Sequence, residues 1–366
     1  MMMMAHGENP NARPDAPSEF TRAAEPADAD LTPLLRHLLD GHTLTADQTR
    51  QAFEAMMTGQ VHHGEMGALL ALLATRTPTS EEILGAARVM RAKVDRIEAS
   101  KDRDLLVDTA GTGGAPKTFN VSTASSIIAA AGGVPSAKHG NRSRTGRGSA
   151  EVLEQLGVNI DADRATQARC LDEANICFCF APHHHPATRH VMPVRKSLGF
   201  PTIFNLLGPL TNPAGARRQV MGVYEARFVR PIAEALQALD AIHAMVVHSA
   251  DGLDELSISA PTHVAHLRNG VIEEYDIDPS ALGLTLVDRD AVTARDLAHA
   301  ASMVREVISG ADRGPARDMT LLATAATLVV ADVVSDMAEG IARSASLIDD
   351  GSAQATLERL ASASQG

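Results

Sequence analysis

Positive charge is scarce in this 366-residue chain: 33 Lys and Arg stand against 45 Asp and Glu, a formal net charge of −12. Nucleic acid is held by a positive field, so this balance argues against general nucleic-acid binding and makes any local cluster of cations informative. Cysteine is also scarce and odd in number, at three. Structural thiols in a reducing compartment follow, hence a cytoplasmic location rather than a disulfide framework or a cysteine metal site. No apolar run is long enough to cross a bilayer, so a soluble chain with no membrane partner is expected. The opening MMMMAHGENPNARPD lacks the basic-then-apolar order of a secretion signal. Catalytic signatures are missing too. There is no Gly-x-Ser-x-Gly elbow, and GTGGAPKT at 111–118 departs from a P-loop because Pro116 stands where the second Gly must be.

What is present is a change of grammar along the chain. Residues 1–30, rich in Ala, Pro, Asp, Glu and Asn, have no apolar period and read as a disordered tail. From Leu31 to about 102 the pattern is helical, with Thr45 as one cap and Ser80 opening the helix that starts TSEEIL. From Asp104 strands alternate with helices, the signature of an α/β fold with a mainly parallel central sheet. VPSAK, ICFCF, RQVMGVY and AMVVHS read as strands. ELSISAP and HVAHLRNGVIEEYDI alternate like antiparallel ones. Residues 183–200 read as helix, FNLLGPLTNP as a loop, and MTLLATAATLVVADVV as a central core helix.

Three places could carry chemistry. At 107–123, VDTAGTGGAPKTFNVST reads as strand, Gly-rich turn and helix start, with Ser122 and Thr123 at N-cap positions. Gly111, Gly113 and Gly114 let the backbone approach a ligand, so the stretch is a ready phosphate site. Next, Lys138, Arg142, Arg144 and Arg147 form a run of cations without an acid, followed by Ser149 at another helix start. Both loops follow strands, so they converge at the carboxyl end of the sheet. Third, Asp251, Asp254 and Glu255 follow AMVVHS at the same end, where a carboxylate pair plus phosphate oxygens suits Mg²⁺. The triplet His183, His184 and His185 lacks accompanying ligands at a metal-binding spacing, although His185 could line a pocket.

GTGG, NVSTA, AKHGNRS, GSAEVLEQLG, HPATRHVMPVR, TIFNLLGPLTNPA and the Asp-Glu pair follow the order and spacing of anthranilate phosphoribosyltransferases, and the chain resembles that family over about residues 31–360. The resemblance implies a small α-helical domain (31–102, joined by 183–200) beside a larger α/β domain (103–182 and 201–366) of the nucleoside phosphorylase/phosphoribosyltransferase-like kind. It also implies a homodimer, Mg²⁺, and transfer of phosphoribosyl from phosphoribosyl pyrophosphate to the amine of anthranilate, in tryptophan biosynthesis. It assigns Gly111 and Gly114 to the phosphoribosyl pyrophosphate loop, with Thr118, Asn120, Ser122 and Thr123 on the pyrophosphate or its metal. Lys138, His139, Gly140, Asn141, Arg142 and Ser143 match a second loop, and Ser149 a further phosphate contact. Asn141 and Arg195 match the anthranilate-holding positions; Ser122, Asp254 and Glu255 match the metal ligands. His139 and His185 are candidates for a general base.

The chain departs from the family pattern twice. Ala115, Pro116 and Lys117 follow GTGG where Asp-Gly is usual, and the second loop is one residue shorter before Ser149 while carrying Arg144 and Arg147. The expectation is a more cationic pocket, kept whole because both loops shortened together. The competing readings are a pyrimidine nucleoside phosphorylase-like enzyme and a non-catalytic nucleic-acid-binding relative. HPATRHVMPVR and FNLLGPLTNP weigh against the first, the charge of −12 against the second.

Overall fold

A computed structural model describes residues 29–143 and 146–366. The tail expected over 1–30 lies outside them up to residue 28, and so does Arg144. Ala29 and Asp30 already belong to the fold. Ala29 N donates to the Gln60 carbonyl at 3.0 Å, and the Asp30 carboxylate accepts from Thr32 N at 2.8 Å.

Helices α1 (Thr32–Leu39), α2 (Ala46–Met57), α3 (His63–Ala74) and α4 (Ser80–Ala92) come first. Then β1 (Val107–Asp108), α5 (Val121–Ala131), β2 (Ser136–Gly140), α6 (Ser149–Gln155), α7 (Arg164–Ala174) and β3 (Ile176–Phe180) follow. The short α8 (Ala181–His184), α9 (Met192–Leu198) and α10 (Phe204–Leu207) lead to β4 (Arg218–Gly222), α11 (Val229–Ala238) and β5 (His243–Ser249). The hairpin β6 (Thr262–Arg268) and β7 (Val271–Ile277) precedes α12 (Leu297–Ile308), α13 (Pro315–Val330), α14 (Met337–Asp349) and α15 (Ser352–Ala363).

Local chemistry explains most boundaries. Thr45 caps α2 and Thr79 caps α4, whose first residue is Ser80 as expected. In each, the threonine hydroxyl accepts from the third helical N–H while that residue's side chain reaches back. Glu82 also accepts from Leu44 N at 2.9 Å and binds Arg76 at 2.6 and 2.8 Å, which satisfies a fully buried carboxylate. The helix expected over 183–200 is broken into α8, a 3₁₀ turn at Pro186–His190, and α9, because Pro186 and Pro193 lack an N–H. FNLLGPLTNP is not all loop, since α10 buries Phe204, Leu206 and Leu207. ELSISAP is not a strand. There Ser257 N donates to Thr262 Oγ1, Ser259 N to Ser257 Oγ, and Ser257 Oγ to Asp251, so side chains replace a ladder.

The seven strands form one sheet in the order β3-β2-β1-β4-β5-β6-β7. From β3 across to β5 all pairs are parallel; β6 and β7 are antiparallel. Side chains alternate across it: Met245 and Val247 of β5 join the core under α5 and α13, whereas Ala244 and Val246 join the core on the other face. That second core runs without a break through α11 and α10 into α2, α3 and α4. The helical part and the sheet therefore share apolar packing, and α13 is the buried central helix that its sequence suggests.

Candidate active site

The loops after β1, β2, β4 and β5 meet at the carboxyl edge of the parallel strands. Thr112 N donates to the Gly222 carbonyl at 2.9 Å, and Tyr224 N donates to Thr112 Oγ1 at 3.1 Å, so the Gly-rich loop is stitched to the end of β4. A Cβ on Gly111 would lie 3.3 Å from the Gly222 carbonyl and 3.5 Å from Asp254 Oδ2. Gly113 and Gly114 take φ of +63° and +103°, conformations that other residues adopt only with strain. The Tyr224 ring lies against Gly114. Helix α5 starts earlier than expected, directly after Asn120. Ser122 and Thr123 are therefore first-turn residues rather than caps.

Ser122 is the meeting point. Its carbonyl accepts from Thr109 Oγ1 at 2.9 Å, and its hydroxyl accepts from Lys138 Nζ at 3.2 Å. Lys138 is 3 % exposed and also reaches Thr109 Oγ1 at 3.3 Å. Gly111, Ser122, Asp254 and Glu255 line one small cavity. Burial raises the Asp254 carboxyl; burial and the adjacent Asp254 push Glu255 up to about 8. Lys138 and Lys117 partly offset this, because both lie within electrostatic reach of Glu255. Two crowded carboxylates and a hydroxyl are an all-oxygen set that fits a hard cation sharing its remaining positions with phosphate oxygens and water. Among the described residues no cluster of three or more His, Cys, Asp or Glu could hold a metal by itself.

The second loop is less uniform than its cations suggest. Arg142 is bound in a fork by Glu154 at 2.7 and 2.8 Å and stands over Phe180, and Arg147 donates to the Ala294 carbonyl. Among the described residues, two cations of the run, Arg142 and Arg147, are thus engaged elsewhere. Lys138 remains, with Lys117 facing the acids. Ser143 Oγ accepts from Arg147 N, and the Asn141 side chain accepts from Arg142 N. Asn120 donates weakly to the Arg147 carbonyl, joining the two loops at 3.4 Å. Gly140 is packed so tightly against Ser149 Oγ and Phe178 that a Cβ has no room. Thr118 is buried with its hydroxyl on the Phe119 carbonyl, and the Thr123 hydroxyl is buried without a partner among the described residues.

Two residues escaped sequence reasoning. Asp108, at the end of β1, accepts from Ala110 N and His139 N at 3.1 Å each and from Asn212 Nδ2 at 2.8 Å. Burial lifts its carboxyl to about 6. The Asp108–Asn212 pair fixes the backbone on either side of the site. Its only sequence signals are an Asp ending an apolar run and the Asn of TNPA. The histidine triplet diverges: His183 goes to Asp161, His184 to Asp95 and Gln167, and His185 Nε2 to His139 Nε2 at 3.3 Å. No shared metal position results. Cys177 and Cys179 are buried free thiols with sulfurs 3.8 Å apart.

Burial holds His139 well below the usual imidazole range and brings His185 down to about 4. A depressed histidine pKa stabilises the fold above the unfolded value of 6.5, and that stability is lost as pH falls toward 4. His185 alone accounts for up to about 3 kcal/mol on that scale. Urea unfolding midpoints should therefore fall between pH 7 and pH 4.5, and fall less in His185→Gln. An equal fall in both proteins would refute the assignment.

Arg195 is half-buried, 5.0 Å over the Phe204 ring, with only Met192 Sδ as a polar neighbour and no carboxylate partner among the described residues. Burial lowers its pKa, as expected of a cation lacking a counter-ion.

Comparison with known proteins identifies the family and the fold. Residues 103–354 match the family described as "Glycosyl transferase family, a/b domain", and residues 32–94 match its "helical bundle domain". The anthranilate phosphoribosyltransferase of Halorhodospira halophila is 44% identical over 332 residues, covering 90% of this chain and 97% of that protein. That of Anaeromyxobacter dehalogenans is 46% identical over 328 residues, covering 89% and 96%. The Thermus thermophilus enzyme structure superposes with a TM-score of 0.85 at 35% identity, covering 91% of this chain and 99% of that one. The Saccharomyces cerevisiae enzyme, solved in complex with PRPP and Mg, gives 0.82 at 25% identity, covering 92% and 98%. With its helical bundle, its mainly parallel sheet and loops that converge at the carboxyl edge of that sheet, the chain belongs to the anthranilate phosphoribosyltransferase family.

Proposed function

We propose that this chain transfers the phosphoribosyl group of phosphoribosyl pyrophosphate to the amine of anthranilate, releasing pyrophosphate. The observation that carries this reading is the single cavity joining Gly111, Ser122, Asp254 and Glu255, with Lys138 on Ser122. The amine's lone pair forms the new bond to the anomeric carbon as the C–O bond to pyrophosphate breaks. No enzyme nucleophile is needed; charge must be neutralised at the leaving group and a weak amine must be held in place.

Asp254, Glu255 and Ser122 are the residues we assign to Mg²⁺, which when bound offsets charge on the leaving pyrophosphate. The chain's own part is the frame. Gly111 and Gly114 open backbone space, while Asn120, Thr123, Asn141, Ser143 and Ser149 line the two loops for phosphate contact. Lys138 brings an ammonium whose pKa burial lowers and Asp108 and Glu255 raise, and the imidazoles of His139 and His185, joined through their Nε2 atoms, are the candidates to take the proton that the amine sheds. Arg142 reaches phosphate only if its Glu154 fork opens.

Arg195 is assigned to the anthranilate carboxylate, which would complete an unpaired guanidinium beside an aromatic ring. Arg195→Ala should raise the KM for anthranilate by roughly 10- to 100-fold, the worth of a charge-assisted pair, while the KM for phosphoribosyl pyrophosphate stays within about twofold. An unchanged anthranilate KM in a folded variant removes Arg195 from this role.

The reaction itself is tested by following loss of anthranilate fluorescence with phosphoribosyl pyrophosphate and Mg²⁺. Phosphorolysis of a pyrimidine nucleoside in place of that loss would favour the phosphorylase reading. We assign a homodimer in the cytoplasm, checked by light scattering and fractionation. No helix among the described residues is long and apolar enough to cross a membrane.

A further inference from the structure

The amino ends of the same strands carry a second concave feature. A cleft of about 760 Å³ opens between the end of α4, the segment before β1, and the segments before β4 and β5. Five cationic side chains line it, Arg91, Arg96, Lys101, Arg103 and Arg217. In a chain of net charge −12 this is a marked local excess.

The three acids in the same wall, Asp102, Asp104 and Asp240, offset the five cations only in part and leave an excess of two positive charges. Asp104 is taken up by Arg217 at 2.7 Å, and Asp102 accepts from the Asp104 N–H at 3.0 Å. Asp240 gives Arg217 its backbone carbonyl at 2.8 Å. Arg91, Arg96, Lys101 and Arg103 have no carboxylate within ion-pair distance among the described residues. Arg91 is the most enclosed. It donates only to the carbonyls of Leu210 at 2.6 Å and Leu239 at 3.0 Å. Burial and the neighbouring Arg96 bring its pKa down to about 10, with Arg103 and Arg217 acting in the same sense and Asp240 against it.

Like charges gathered at the mouth of a cleft repel, and an anion between them removes the repulsion. The wall is also built rather than floppy. Arg103 lies across Gly215, where φ is +73° and a Cβ would come within 3.0 Å of its Nε, so glycine there leaves the guanidinium room to lie on the backbone. Planar guanidinium forks match the oxygens of phosphate and carboxylate groups.

We propose that this cleft binds a small molecule carrying two or more negative charges on phosphate or carboxylate oxygens, at a site separate from the transfer site. Along β5, seven residues long, roughly 20 Å separates the amino end at the cleft from Asp254 and Glu255 beyond the carboxyl end, and Asn212, which lines the cleft and donates to Asp108, is the point where the two come nearer. The cleft's volume suits a metabolite rather than a bare ion. This assignment does not rest on the transferase reading, and a chain inactive in transfer would leave it standing.

Isothermal titration of the full chain with inorganic pyrophosphate, without metal, tests it. A binding event should survive Lys138→Ala, which alters the transfer site, and disappear in the Arg96→Ala/Arg103→Ala double variant. Lys101→Glu should weaken the same event tenfold or more. The double variant should keep kcat and both KM values within about twofold, because neither residue touches the carboxyl end of the sheet. Citrate in place of pyrophosphate identifies carboxylate or phosphate as the preferred group, and saturable binding of either that depends on Arg96 and Arg103 supports the site. Absence of any event in Lys138→Ala, or an event unchanged in the double variant, overturns it.

Discussion

Gly222→Ala is expected to lower kcat/KM by about 10²-fold or more, because a displacement near 1 Å in a positioned site already costs that much. Gly222 ends β4, and its carbonyl accepts from Thr112 N at 2.9 Å, which anchors the Gly-rich loop. The space beside its Cα is filled by the backbone carbonyl of Asp254, so a methyl group there overlaps main-chain atoms that no rotamer can move aside. Either β4 or the acidic loop must shift, which separates Gly111 and Ser122 from Asp254 and Glu255. Overpacking of this kind also costs about 1–3 kcal/mol of stability. The variant should stay folded by circular dichroism with a lowered Tm while turnover collapses. Wild-type kinetics in Gly222→Ala would show that the close approach of these loops is not needed.

Glu255→Gln should have a comparable effect on catalysis, a fall on the order of 10²- to 10³-fold, as when one fixed charge-stabilising group is removed. It should have the opposite effect on the ligand-free fold at high pH. A carboxyl held at about 8 in the folded chain, against 4.5 when exposed, favours the folded state while protonated. That contribution is complete below 4.5 and is lost as pH rises through 8, on the order of a few kcal/mol across the interval. Gln keeps the shape and cannot ionise. Thermal midpoints without metal should therefore drop between pH 7 and pH 9 in the wild type and drop less in Glu255→Gln. Parallel curves would mean that Glu255 is solvated. The site thus trades stability for a poised charge.

Much of the fold was readable because its causes are local. Thr45 caps α2 through its own hydroxyl, and Asp163 caps α7 by accepting from Thr166 N at 2.7 Å. The wholly apolar ICFCF becomes β3, buried along its length in a parallel sheet. RNG between alternating runs becomes the β6–β7 turn, with Asn269 and Gly270 both at positive φ. Where the reading failed, side chains competed with the backbone. The serines of ELSISAP cap their own turn, and two prolines divide the 183–200 segment. The early start of α5 follows from Asn120 rather than Ser122 holding the cap position.

At the site the division is the same. The residue types and spacing of the Gly-rich loop, the second loop and the Asp-Glu pair sufficed to bring out the family and the end of the sheet at which they meet. The destination of each charge was decided by tertiary structure alone. Arg142 and Arg147 look like phosphate ligands in the chain, yet Glu154 on α6 and the Ala294 carbonyl claim them once the loop folds back. Lys138 turns inward to Ser122, and Asp108 is enclosed by Asn212 from far along the chain. A sequence determines which groups exist and which local conformations they favour; an ion pair or a buried carboxylate depends on distance and desolvation, and both are set only when remote segments pack together.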